Sequence, residues 1–222
     1  MGAIKYMKID LRFLKVQKVV LILFPILAVF MEAFGKMDFA FVFGYLCFGA
    51  IIIAPTAFMY EQKGSDLFIA MLPGKLKDRV WGRFLNLIIL MLGAFLCAMI
   101  SHFIAEGFSF SISGMEAVFM LAAFCISIMI GSIQMLVFYK VGREKSQQWL
   151  AMFRLIPGFV VFFGITYASD ALIKEPDLLK NLVGILQRQA VMLGGLLVVI
   201  CIAVLLVCEM LSVKICSKKD GY

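Results

Sequence analysis

Charged residues are scarce in this chain. Only 16% of its 222 residues are Asp, Glu, Lys or Arg, whereas 64% are apolar; soluble proteins carry about 25% charged residues. A soluble domain of this size could not bury so many apolar side chains. Apolar runs of about 18 or more residues recur, and each is long enough to cross a hydrocarbon core. The composition excludes a soluble protein and predicts a single polytopic membrane domain over residues 1–222.

Histidine occurs once, at His102. No second histidine or cysteine stands at metal-ligand spacing from it, so no metal site is predicted. A Ser-His-acid triad would have to use this side chain, and its nearest acid in sequence, Glu106, is interpreted as marking the water boundary. The absence of an HExxH motif also argues against an intramembrane enzyme.

A phosphate-binding loop is also missing. Gly74 and Lys75 superficially resemble its end, but Ile69 stands where the first glycine belongs, and Leu76 replaces the magnesium-binding Ser or Thr. The chain is therefore predicted to hold no ATP or other cofactor. Active transport would take its energy from another polypeptide or from an ion gradient.

Cysteine pairs and mid-membrane charges are equally rare. The six cysteines form no CxxC pair and are predicted to be small buried side chains. Glu209 is expected to pair with Lys214 at the membrane boundary, and Arg154 to reach the same surface. Ser127 and Ser132 should bond to carbonyls of their own helix and Gln134 to a neighbouring helix. This scarcity disfavours an ion-driven carrier.

Six helical spans are predicted, because lipid cannot satisfy open backbone groups and the period-2 pattern of barrel strands is absent. They cover residues 19–35, 38–60, 84–105, 115–139, 149–170 and 189–213. The first contains Pro25 and ends at Glu32. A cleaved signal peptide is the alternative for this span, but no small-x-small cleavage site follows it.

The distribution of Lys and Arg predicts the orientation. Sixteen of them flank the spans on one side and four on the other. Both termini are therefore expected in the cytoplasm, with the protein in a bacterial plasma membrane. The net charge of +7 is attributed to this topology and to anionic lipid headgroups, not to nucleic acid.

An amphipathic helix is predicted before the first span, over residues 3–18. Its 3-4-3 spacing of cations forms one basic stripe, consisting of Lys5, Lys8, Arg12 and Lys15. Apolar residues, broken by Asp10, cover most of the remaining circumference. The pattern indicates a helix at the inner membrane surface that packs partly against other helices. A simple positive-inside anchor is the alternative.

The loop from Tyr60 to Phe84 carries eight charges between two apolar spans. Leu67, Phe68, Met71 and Leu72 have helical spacing, and Pro73-Gly74 ends that helix. The following KLKDRVWGRF can restart a helix that runs into the third span. On the other side of the membrane, residues 175–188 predict a short surface helix that begins at Pro176.

These features resemble the permease subunits of ABC-2-type ABC transporters. The closest likeness is local: Tyr60-Glu61-Gln62-Lys63-Gly64, then Met71-Leu72-Pro73, then the basic stretch Lys77 to Leu85. The chain departs from the common pattern at Gly74. In its small size the chain most resembles the short permeases of peptide exporters, including the exporters of phenol-soluble modulins.

The resemblance implies the partners. In this family the loop between spans two and three forms a coupling helix, held by the ATP-binding subunit. The expected contacts are Glu61, Asp66, Leu67, Phe68, Met71, Leu72, Pro73, Lys75, Lys77, Asp78 and Arg79. The resemblance also implies two ATP-binding subunits, which hold ATP and magnesium. It further implies a second permease chain, which is identical or a close paralogue.

Export of amphipathic or toxic peptides is the function that this likeness implies. Export of a lipid or hydrophobic drug is an alternative in the same class. A membrane protein that gives immunity by binding a toxic peptide without moving it is a third hypothesis. The richness in Phe and Met suits amphipathic cargo only weakly, because most of these side chains must face lipid.

Overall fold

The computed structural model describes residues 2–14, 18–35, 39–55, 75–108, 114–141 and 176–219. In these ranges the chain forms only helices, with no strand. The helices are α1 (Ala3–Phe13), α2 (Lys18–Ala33), α3 (Phe39–Ile53), α4 (Leu76–Ala105), α5 (Gly114–Val141) and α6 (Pro176–Lys219). The all-helical prediction is confirmed for this part of the chain.

Three helices contain segments long and apolar enough to cross a membrane. These segments are Leu76–Ala105, Ala117–Val141 and Met192–Lys218, and the shorter apolar helices Leu21–Ala33 and Phe39–Ile53 coincide with the first two predicted spans. The protein is therefore a multi-pass membrane protein. The predicted fifth span, 149–170, lies outside the described residues.

Helix α3 is shorter than predicted. It ends at Ile53, and a turn at Ala54 and Pro55 follows, whereas the predicted span continues to residue 60. Proline disfavours helical geometry at the residue before it and has no N–H to donate. Pro55 therefore accounts for the early end of α3.

Helix α6 is longer than predicted. Its 44 residues run without a break from Pro176 to Lys219. The predicted start at Pro176 is confirmed, but the boundary expected between a surface helix and the last span is absent. After Pro176 the helix contains no proline to stop it. At 1.5 Å per residue it is about 66 Å long, roughly twice the hydrocarbon thickness, so its amphipathic first turns extend beyond the apolar segment.

The helices pack through a continuous apolar core that includes Phe43, Phe84, Leu87 and Met91. Gly131 of α5 lets α4 come close, because a Cβ at this position would lie 2.8 Å from Leu87 Cδ1. Phe24 of α2 stacks on Tyr45 of α3 with ring centroids 5.1 Å apart. These contacts hold α2, α3, α4 and α5 in one bundle.

The cysteines belong to this packing. All six are free, and Cys47, Cys125, Cys201 and Cys208 are buried. The thiol of Cys201 on α6 donates to the carbonyl of Cys125 on α5 over 3.5 Å. The prediction of small buried side chains is confirmed for these four.

The polar residues inside the spans differ partly from the predictions. Ser132 donates to the carbonyl of Ile128 at 2.7 Å, as expected, whereas Ser127 meets the thiol of Cys47 on α3. The prediction that Gln134 bonds a neighbouring helix is wrong, because neither of its amide atoms has a hydrogen-bond partner. The amide of Asn86 on α4 is likewise buried and unpartnered.

Glu209 also departs from its prediction. It makes no ion pair with Lys214 but is buried in α6, and its Oε1 accepts no hydrogen bond. The cation that attracts it electrostatically is Lys77, on α4. Glu209 is buried and Lys214 is exposed. The two charges are five residues apart in sequence but lie on different sides of α6.

Candidate functional site: the basic end

The two ends of the bundle have different chemistry. We call the end that carries α1 and residues 75–83 the basic end, and the end that carries Glu32 and His102 the His102 end. At the basic end α1 lies against the first turns of α4. It buries Tyr6, Asp10 and Leu14, which are spaced by four residues and so share one face. The predicted packing of this amphipathic helix against other helices is confirmed.

The basic stripe of α1 faces outward. Lys5, Lys8 and Arg12 are exposed on the side away from α4, and Lys15 lies outside the described residues. The helix ends at Phe13, earlier than the predicted residue 18, and α2 begins at Lys18. The stripe therefore stands free of the bundle, where headgroups or a partner protein can meet it.

Gly82 sets how closely α1 approaches α4. A Cβ at this position would lie 2.7 Å from Tyr6 Cβ, 3.0 Å from the carbonyl oxygen of Ala3 and 3.1 Å from the amide nitrogen of Met7. Two of these atoms are backbone and cannot move aside without moving the helix. The absence of a side chain at residue 82 therefore permits backbone-to-backbone packing of the two helices.

A buried ion pair crosses the same contact. Nε of Arg83 on α4 lies 3.9 Å from Oδ2 of Asp10 on α1, and both side chains are buried. The guanidinium also lies 5.7 Å from the ring centroid of Tyr139 on α5, within the range of a cation–π contact. Arg83 thus joins α1, α4 and α5 at one point.

The protonation of Asp10 reflects this position. Burial raises the pKa of the Asp10 carboxyl, and the nearby guanidinium groups of Arg83 and Arg79 act in the opposite direction without cancelling the effect. The 3.9 Å separation is too long for a hydrogen bond, and Oδ2 accepts none. Asp10 is therefore held by a long ion pair, and burial disfavours the ionised carboxylate that this pair requires.

The predicted partner-binding residues are described only in part. Helix α4 begins at Leu76, in agreement with the predicted restart, with Lys75 at its N-cap. Lys75 and Lys77 are exposed, and Asp78 and Arg79 are half-buried. The remaining predicted contacts, Glu61, Asp66, Leu67, Phe68, Met71, Leu72 and Pro73, lie outside the described residues.

At the His102 end a buried carboxylate joins α2 to α4. Oε2 of Glu32 accepts a hydrogen bond from the hydroxyl of Ser101 at 2.8 Å. Its Oε1 lies 2.7 Å from Nδ1 of His102, and the ring of Phe39 on α3 stacks on the imidazole with centroids 4.2 Å apart. Three helices therefore meet around one acid.

The sequence pattern does not predict this cluster. Glu106 is the acid nearest to His102 in sequence, whereas the acid that bonds the imidazole is Glu32, 70 residues away. The arrangement is not a nucleophile and its base, because the serine donates to the carboxylate and not to the imidazole. The one available signal was that an acid near the end of the first span and a histidine near the end of the third share one membrane side.

A protein-family model decides the class. The model for the ABC-2 family transporter protein matches residues 7–219, nearly the whole chain. The chain belongs to the ABC-2 transporter family. No curated protein and no solved structure matches it. An ABC-2 permease is a membrane transport subunit and not itself catalytic, and the family implies a partner ABC ATP-binding subunit.

The permease also has a half-open apolar cavity of about 430 Å³ between α4 and α5, and two of its lining residues, Leu92 and Leu121, are exposed at the bundle surface. Seven side chains line it: Leu92, Phe95, Met99, Ala117, Met120, Leu121 and Phe124. None is charged or able to donate a hydrogen bond. The cavity lies toward the His102 end, because Leu92 to Met99 occupy the second half of α4.

Proposed function

We propose that this permease is the membrane half of an ATP-driven exporter that moves amphipathic or toxic peptides out of the cell. ATP and magnesium are held by two copies of a separate subunit, and a second permease chain, identical or a close paralogue, completes the pathway. The basic end faces the cytoplasm in this proposal, in line with the excess of Lys and Arg on that side.

The packing of α1 on α4 carries the proposal. The loop predicted to bind the ATP-binding subunit leads directly into Lys75 and the first turn of α4, and this is where α1 packs. Because Gly82 brings the two backbones into contact, a displacement at the start of α4 must move α1 with it. The exposed Lys75, Lys77 and basic stripe lie beside that contact. The basic end is thus suited to receive force from a soluble partner.

Peptide cargo is supported by the family resemblance and by the apolar cavity. An amphipathic peptide has apolar side chains that a cavity lined by Phe, Met and Leu accommodates, and Met adapts to varied shapes. The same wholly apolar lining suits an acyl chain or a hydrophobic drug, so export of these molecules is the second candidate. The test measures the ATPase activity of the purified complex with added amphipathic peptide and, separately, with added lipid. Stimulation by peptide and not by lipid supports peptide cargo, and the reverse supports lipid cargo.

The coupling assignment is tested by replacing two predicted anchors together, Phe68→Asp with Leu72→Asp. Apolar anchors in a protein contact carry much of its free energy, so we expect the ATP-binding subunit to be lost from the purified complex while the permease still inserts. The matched control is Gln62→Asp with Ser65→Asp, which adds the same charge to the same loop. Full substrate-stimulated ATPase activity in the anchor variant would show that the assignment is wrong.

A pull-down of the tagged permease from native membranes, followed by mass spectrometry, tests the class of complex. We expect a stoichiometric ATP-binding subunit with Walker motifs. Recovery of the permease with a bound peptide and no ATPase would instead support the immunity hypothesis.

A further inference from the structure

Helix α1 turns all of its exposed charge to one side. Lys5, Lys8 and Arg12 are exposed, and their spacing of three and four residues puts them in one row. The one acid of α1, Asp10, is buried on the opposite side, beside Arg83 of α4. The outer face of α1 therefore carries three positive charges and no negative charge.

A row of apolar side chains runs beside these cations. Ile4, Met7 and Leu11 are also spaced by three and four residues, so they share one line along α1 next to the basic stripe. Ile4 is exposed, and Met7 and Leu11 are half-buried. This arrangement is typical of a helix in a membrane interface, where the apolar row enters the acyl region and Lys and Arg reach the headgroups.

Helix α2 limits how far α1 can lie from the lipid. It begins at Lys18, and the side chains of Val19, Ile22 and Ile26 on it are exposed. In a membrane protein, exposed apolar side chains at the start of a span contact acyl chains. Only four residues along the chain separate Leu14 from Lys18, and four residues reach at most about 14 Å. The end of α1 therefore lies within reach of the headgroup layer.

We propose that the basic stripe of α1 binds the headgroups of anionic phospholipids in the leaflet at the basic end. Clusters of Lys and Arg beside a span attract anionic lipids electrostatically, and Lys18, exposed at the start of α2, adds a fourth cation to the three on α1. Because Gly82 holds α1 against α4, lipid bound to the stripe is held beside the start of α4. This lipid site goes beyond the proposed transport function and depends on neither the ATP-binding subunit nor the cargo.

Photolabelling by a lipid tests the site directly. The full-length permease, purified without an ATP-binding subunit, is placed in phosphatidylcholine nanodiscs with a trace of phosphatidylglycerol that carries a photoreactive group near its headgroup. Irradiation and peptide mass spectrometry then locate the label. We expect label on residues 3–14, and unlabelled phosphatidylglycerol or about 1 M salt, which screens surface charges, should reduce it at least about fivefold. A phosphatidylcholine probe with the same photoreactive group should label these residues at least about fivefold less.

Two double variants separate the stripe from the general positive charge of the basic end. Lys8→Gln with Arg12→Gln removes two exposed charges from α1, so labelling of residues 3–14 should fall at least about fivefold. Lys214→Gln with Lys218→Gln removes two exposed charges from α6 at the same end and should leave labelling of α1 unchanged. All four side chains are exposed, so both variants should fold. Equal labelling by the two probes, undiminished labelling in the α1 variant, or an equal fall in both variants would overturn the proposal.

Discussion

Asp10 and Glu32 are both buried acids that join a helix to α4, but they are held in opposite ways. Glu32, at the His102 end, has a close polar partner on each oxygen, at 2.7 and 2.8 Å. Asp10, at the basic end, has an ion pair of 3.9 Å and an oxygen that accepts no hydrogen bond. Hydrogen bonds depend steeply on distance and angle, whereas an ion pair falls off gradually.

The difference lies in what holds each helix to α4. At the basic end the ion pair between Asp10 and Arg83 is long, and the close backbone packing at Gly82 fixes α1 against α4. At the His102 end two short polar contacts hold the Glu32 carboxylate in one geometry.

The largest effect on this comparison is expected from Glu32→Leu. It removes both acceptors and leaves Ser101 and His102 buried without that partner, at a cost of about 3–5 kcal/mol in the free energy of unfolding. Thermal unfolding in detergent measures the loss. Glu106→Gln, at an exposed acid one turn after His102, is the control and should cost less than Glu32→Leu, because it keeps the shape and the polar atoms of the side chain. If both variants lose the same stability, the polar contacts of Glu32 do not hold α2 to α4.

Arg83→Gln should loosen α1 in a pH-dependent way. Burial raises the pKa of Asp10, so the favourable contribution of its neutral form is complete below the ordinary Asp value of about 3.9 and is lost as pH rises through the raised value. Without Arg83 the ionised carboxylate is poorly compensated, and docking of α1 should weaken at neutral pH by up to about 3 kcal/mol. Amide exchange of residues 3–14 at several pH values measures this.

The double variant Arg83→Gln with Asp10→Asn is the control for that measurement. It has no titrating group at this position, so its exchange should follow the intrinsic rate at every pH. A pH dependence that survives in the double variant would assign the effect to a group other than Asp10.

Gly82→Ala tests the close approach of α1. The added Cβ meets Tyr6 Cβ and the Ala3 carbonyl oxygen, and overpacking of this kind costs about 1–3 kcal/mol. Gly93→Ala on the same helix is the matched control, because a Cβ there meets no atom within 4 Å. The control should stabilise α4 by up to about 1 kcal/mol. Equal stability of the two variants would show that α1 is not packed as described.

The smallest effect is expected from Asn86→Leu and Gln134→Met. Both amides are buried without partners, so apolar replacements of similar size should be neutral or stabilising, within about 1 kcal/mol. Urea unfolding in detergent measures the change. A loss above about 2 kcal/mol would mean that these amides hold a hydrogen bond in the membrane.

Local pattern predicted the helices well. The basic stripe, the apolar face of α1, the start of α6 at Pro176 and the restart of α4 after Gly74 all follow from spacing within one segment. Pro55 is a sequence signal for the end of α3 at Ile53, although apolar residues continue beyond it. The amphipathic first turns of α6 predict a separate surface helix, but a change of face does not require a break in the backbone.

The contacts between different helices could not be predicted from patterns within one segment. Asp10 meets Arg83 and Glu32 meets His102 only because α1 and α2 both pack on α4, and a pattern within one segment does not show which helices are neighbours. Glu209 illustrates the opposite error, since Lys214 is close in sequence but on another side of α6. Long-range pairs of this kind need the packed structure.

Site-specific photocrosslinking tests most directly whether the basic end binds the ATP-binding subunit. A benzoylphenylalanine replaces Lys77, exposed at the basic end, or Phe34, exposed at the His102 end, and membranes are irradiated before purification. The account predicts a crosslink from position 77 to an ABC ATP-binding subunit and none from position 34. A crosslink to that subunit from position 34, or its absence from position 77 in a complex that contains the subunit, would contradict it.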